Sequence, residues 1–102
     1  MNVIRITPDN NIDLIDISNI KHQYPYARKI PNQQSYYYVF EDGDIDEHES
    51  INTLCSNLAK EQIIGEAYVV KSDIDITGLA FEEDCINCDE ADLLNVINLC
   101  RK

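Results

Sequence analysis

A chain of 102 residues is the size of one domain and builds one hydrophobic core; two modules of half that length would each need staples to hold together. Its hydrophobic fraction of 44%, with only three Gly and three Pro, excludes disordered and collagen-like compositions. Nineteen acidic against eight basic residues leave a net charge of −11, a field that repels nucleic acid and anionic membrane and argues against direct binding to either. A partner found by long-range attraction is therefore expected to be basic: a cation, a basic protein surface, or a protein that itself handles nucleic acid.

Met1 to Thr7 alternates apolar and polar residues instead of building the apolar core of a secretory leader, and no apolar run approaches the length of a membrane span. The expectation is residence in the cytosol, or the host cytosol for a viral protein. There Cys55, Cys85, Cys88 and Cys100 are expected to be reduced, so their even number is no argument for a disulfide framework.

In chain order, Asn2 to Thr7 has strand periodicity, with Ile4 and Ile6 on one face and Val3, Arg5 and Thr7 on the other. Pro8-Asp-Asn-Asn11 supplies turn chemistry, and a second strand from Ile12 to Ile17 follows at hairpin distance. Its alternation slips at Leu14-Ile15, where a bulge is expected. Between Ser18 and Ser35, Pro25 and Pro31 break any long helix, leaving room for a helical turn or two over Ser18 to Gln23. Tyr36-Tyr-Tyr-Val-Phe40 is rich in strand formers and apolar on both faces, the pattern of a covered third strand.

An acidic turn from Glu41 to Glu47 follows. Ser50 is expected to cap a helix over Ile51 to Lys60, with Ile51, Leu54, Cys55 and Leu58 on its buried face. Gln62 to Val70 reads as a strand covered on both sides, with Gly65 marking a close backbone approach. Asp73 to Phe81 fits a short edge strand or hairpin bent at Gly78. Asn87 with Glu90 matches a capping pattern for a terminal helix that buries Leu93, Val96, Ile97 and Cys100 and ends at Arg101 and Lys102, where the helix dipole favours cations. Leu94 and Leu99 widen its apolar face, which allows either deeper burial or a homodimer contact. The order β-β-β-α-β-(β)-α defines an α+β domain with a small mixed or antiparallel sheet of four to five strands and two helices.

Among candidate sites, Cys85-Ile-Asn-Cys88 has the spacing to grip a tetrahedral metal, but it is half a site. Cys100 lies about 18 Å along a helix from Cys88, and Cys55, His22 and His48 form no second tight pair. As a redox dithiol the same pair would gain from a helix N-terminus, yet Glu82, Glu83, Asp84, Asp89 and Glu90 surround it and oppose thiolate formation. Asp42-Gly-Asp-Ile-Asp46 starts like a calcium loop, but Glu47 replaces the required Gly and Thr53 the bidentate Glu. His48 and Cys55 are two helical turns apart, with Cys55 on the face expected to be buried. No phosphate-binding glycine loop is present, so neither an enzyme nor a cofactor is expected.

The strongest functional signal is the clustering of carboxylates. Asp42, Asp44, Asp46, Glu47 and Glu49 form one group, with Glu82, Glu83 and Asp84 a second, and together they suit an acidic binding surface. Such clusters also allow mimicry of a phosphate backbone that inhibits a defence nuclease. A small metal-binding or redox protein centred on Cys85 and Cys88, and an assembly subunit joined through the terminal helix, are the readings from other classes.

Val3-Ile-Arg-Ile-Thr-Pro8 at the start, and Asn57-Leu-Ala59 leading into Ile63-Ile-Gly-Glu-Ala-Tyr-Val-Val70, resemble a family of small uncharacterised domains carried by bacteriophages, mobile elements and large DNA viruses. The resemblance spans about half the chain and implies an accessory role on a mobile genome, with no catalytic residue to transfer.

Overall fold

A computed structural model of the chain describes residues 2–16, 28–30, 36–41, 50–72 and 85–101. Eight elements follow in order: β1 Asn2–Ile6, β2 Ile12–Asp16, β3 Arg28–Lys29, β4 Tyr36–Glu41, α1 Thr53–Ala59, β5 Ala67–Ser72, β6 Cys85–Ile86 and α2 Glu90–Cys100. The class is α+β, and every strand pair is antiparallel. The sheet runs β2-β1-β5-β4-β3, with β6 also paired to β5. No helix among the described residues is long and apolar enough to cross a membrane.

The first hairpin forms where the turn residues place it. Asn10 takes a left-handed φ of 67°, Thr7 N–H donates to Asn11 O at 3.0 Å, and Asn11 N–H donates to Thr7 Oγ1 at 3.3 Å. The expected bulge is absent: pairing is continuous from Asn2↔Asp16 to Ile6↔Ile12. Both faces of β1 are apolar at this point, so Leu14 lies opposite Ile4 on one side and Ile15 opposite Val3 on the other. Adjacent apolar residues need no bulge to find partners.

Register assigns the two sides of the sheet. Ile4, Ile6, Tyr37, Val39, Ala67 and Val69 share the face that carries the core cluster, where Cys55 and Leu58 of α1 and Val96 and Cys100 of α2 pack against them. Each fully buried Ile, Val or Leu among them contributes about 1.5–3 kcal/mol. On the opposite face Val3, Tyr38 and Val70 are buried too, so β1, β4 and β5 each bury residues on both sides.

Four boundaries differ from expectation. The helix starts at Thr53, capped by Asn52 and not by Ser50, and Ile51 is 55% exposed in an isolated bridge to Ile64. Asn52 wins because its side chain meets three backbone groups at once: Nδ2 donates to Ile6 O and Gly65 O, each at 2.8 Å, and Oδ1 accepts from Cys55 N–H at 3.1 Å. The next strand begins at Ala67 instead of Gln62, because Gly65 takes a φ of 78° and its N–H donates to Ser50 O. The terminal helix is capped by Asp89, which forms a capping box with Asp92, and not by Asn87. Asn87 Oδ1 accepts from Asn2 N–H at 2.8 Å. Finally, Cys85 does not open that helix but lies in β6, paired with Ser72.

β3 has no counterpart among the elements expected from the sequence: it pairs Arg28 with Val39 and Lys29 with Tyr38, followed by Ile30, whose N–H donates to Tyr37 O at 2.9 Å. The helical turn over Ser18 to Gln23, the edge strand over Asp73 to Phe81 and Lys102 lie outside the described residues.

Asn52→Ala is expected to destabilise the fold by about 3 kcal/mol, since it strands two buried carbonyls and an amide, while Ser50→Ala should cost less than about 0.5 kcal/mol. Urea unfolding of both variants checks this; equal losses would return the cap to Ser50.

Candidate functional site

The acidic residues singled out from sequence, Asp42, Asp44, Asp46, Glu47, Glu49, Glu82, Glu83 and Asp84, all lie outside the described residues, as does His48. So does the side chain of Cys85. Cys88 is buried in the core cluster with its Sγ 3.9 Å from Val69 O, and its N–H donates to Asn2 O at 3.0 Å. Cys55 and Cys100 are buried in the same core. Cys100 has its thiol pushed up to about 11 by that burial, so it is protonated at neutral pH. Among the described residues no cluster of His, Cys, Asp or Glu could hold a metal ion.

The densest polar cluster among the described residues contains none of the candidate residues singled out from the sequence. Tyr37 and Lys71 are cross-strand partners on the helix-facing side of β4 and β5, and Asp92 descends onto both from the first turn of α2. Tyr37 Oη–H donates to Asp92 Oδ1 at 2.5 Å, Lys71 Nζ donates to Oδ2 at 2.6 Å, and Asp89 N–H donates to Oδ2 at 2.9 Å. Asp92 is only 5% exposed.

Burial opposes ionisation of Asp92. The hydrogen bonds from Lys71, Tyr37 and the Asp89 amide, with the Lys71 charge, outweigh it and hold the carboxyl below its ordinary value. The hydrogen bond to Asp92 raises Lys71 against the opposing effect of burial, and burial together with that carboxylate pushes Tyr37 up to about 12. At neutral pH the cluster is a carboxylate, an ammonium and a neutral phenol. Both carboxylate oxygens are engaged within the fold, which suits a clamp between helix and sheet better than proton transfer to a substrate. Its signal in the sequence was an acid at position 92 on the same helical stripe as Val96 and Cys100.

On the other sheet face Arg5 bridges Asp13 at 3.5 Å and Glu66 at 3.3 Å. These groups are partly solvated, so the pairs contribute little to stability. A cavity of about 350 Å³ lies between the hairpin turn and the two helices, lined by Asn10, Ile12, Leu54, Ile97, Cys100 and Arg101. It has an aliphatic floor and one cation at the end of α2, separate from the Asp92 cluster.

No family model, curated protein or solved structure matches the chain.

Asp92→Ala is expected to cost about 3 kcal/mol by leaving the Lys71 ammonium without its counter-charge. In the intact protein the unfolded chain takes up its Asp92 proton near the ordinary value of 3.8, before the folded one does. Asp92 therefore contributes stability above that pH, and the contribution disappears as pH falls through its lowered folded value. At the alkaline end the unfolded phenol ionises near 10 while folded Tyr37 keeps its proton to about 12, so stability falls across that window. Phenolate absorbance checks the second arm: the late component should vanish in Tyr37→Phe, and its persistence would refute the assignment. A disulfide-exchange reagent at mildly alkaline pH should label Cys55, Cys88 and Cys100 only on unfolding; fast labelling in the native protein would contradict their burial.

Proposed function

We propose that this chain is a non-enzymatic acidic binding protein, encoded by a virus or mobile element, that modulates a host or viral protein by engaging its basic surface in the cytosol. The observation that carries the reading is the charge imbalance of nineteen acidic to eight basic residues. Within the fold, Arg5 and Lys71 are already opposed by carboxylates, while Asp9, Asp13, Asp89 and Glu90 face solvent. The proposed determinants are Asp42, Asp44, Asp46, Glu47 and Glu49, supported by Glu82, Glu83 and Asp84. A field of this sign speeds encounter with a cationic partner more than it tightens the final complex. The burial of Cys88 in the core favours this reading over thiol or metal chemistry at Cys85 and Cys88. Leu94 is 61% exposed; one turn away Glu90, Ala91 and Asn98 are polar or small and Ile97 is half-buried, which gives assembly through α2 little apolar area.

Partner capture from a lysate at low and at high salt, with wild-type protein and the Asp42→Asn/Asp44→Asn/Asp46→Asn variant, tests the proposal. The expected result is a basic partner retained at low salt, released at high salt and lost with the variant. A nucleic-acid-handling enzyme inhibited on binding would specify mimicry as the mechanism. Retention by the variant at both salt levels would defeat the acidic-surface reading.

A further inference from the structure

The edge of the sheet at β2 has the features of a site for an extended segment. β2 lies at the end of the strand order, and β1 is its only partner among the described residues. The Thr7/Asn11 hydrogen bond at the turn sets the alternation, so Asp13 and Ile15 direct their backbone groups to β1. Ile12 and Leu14 direct theirs to the side away from β1, where no strand lies among the described residues. The strand has no Lys, no Pro and no bulge, so of the usual guards of an edge it keeps only negative charge. What it carries instead is acid: Asp13 and Asp16 within it, and Asp9 exposed in the turn before it.

A second, independent feature adjoins this edge. Ile12 also lines the cavity of about 350 Å³ beneath α1 and the end of α2. A residue added opposite Ile12 would have its side chain about 5 Å from that of Ile12 and on the same face. Its neighbours in the added strand would stand beside Asp13 on the other face.

We propose that β2 accepts an extended segment of a partner protein in which apolar and basic residues alternate, an apolar side chain entering the cavity beside Ile12 and a basic one meeting Asp13. This rests on the basic-partner reading and adds the mode of binding: backbone hydrogen bonds hold the segment, and the cavity and Asp13 select it. Charge chooses the occupant. A second copy of this chain brings its own −11 and the same edge carboxylates, so self-pairing is opposed, whereas a basic strand is attracted.

The probe is a short synthetic peptide alternating leucine and lysine. It is compared with a peptide of the same composition in which lysines and leucines form two blocks, and with the alternating peptide N-methylated on alternate amides. Binding is followed by NMR of the labelled protein. The expected result is binding of the alternating peptide with shifts at the Ile12 and Leu14 amides and at Leu54 and Ile97. N-methylation on the pairing side should weaken it about tenfold or more, and Ile97→Trp, which fills the cavity, should weaken it while the fold is retained. Equal binding of all three peptides with shifts elsewhere would overturn strand addition and leave the acidic-surface reading standing. Failure of every peptide to bind would overturn strand addition at β2, while the acidic-surface reading is decided separately by the partner capture.

Discussion

A single buried carboxylate sets where the last helix lies on the sheet. Asp92 is the N3 residue of α2, the acceptor for Tyr37 on β4 and the counter-ion of Lys71 on β5. A helix packed by aliphatic contacts alone can slide by a turn at small cost, because Leu, Val and Ile fill one another's places. A bidentate arrangement cannot slide: moving α2 would leave an ammonium and a phenol in a low-dielectric layer without their acceptor. The capping box joins the two requirements, since Asp89 binds the Asp92 amide at 2.9 Å and so starts the helix where its third residue reaches the sheet.

Asn52 does the corresponding work for α1. That helix has seven residues, too few to be stable by propensity. Its position comes from outside: the Asn52 side-chain amide ties the end of β1 at Ile6 to Gly65, and its Oδ1 accepts from the Cys55 N–H in the first turn. Ser56 adds a second tie, accepting from Ile63 N–H at 2.8 Å. Lys60 in the left-handed region then stops the helix, and the turn at Gly65 delivers the chain into β5. Each helix is thus located by one buried polar residue, and the apolar core fills the space those residues define.

This division explains what could be read from sequence. Alternation and strand propensity are local properties, so β1 and β2 were legible from the first and β4 from the second, as was the split of Ile63, Gly65, Ala67 and Val69 from Ile64, Glu66, Tyr68 and Val70. Boundaries were not, because they depend on distant backbone groups. Nothing near Asn52 in sequence reveals that Ile6 and Gly65 will present carbonyls to it, and Ser50 is as good a cap by type. β3 spans two residues and exists through its pairing with Val39 and Tyr38, so it has no period of its own. The Asp92 cluster joins positions 37, 71 and 92 across three elements. Only the acid on a buried helical stripe hinted at it.

The acidic character of the chain divides into two populations with different consequences. Asp92 acts at contact distance inside the fold, where solvent and salt hardly screen it, and it shapes structure. Asp9, Asp89 and Glu90 stand in solvent, where their influence decays over about 10 Å at 0.1 M salt, and they shape encounter. Asp13 stands between these cases: it touches Arg5 on one side and is half exposed at the sheet edge on the other. Because Arg5 also has Glu66, the edge carboxylate is not needed to neutralise it. A charge that the fold can spare, on a strand whose outer side has no strand partner among the described residues, is available to a partner in a way that Asp92 is not.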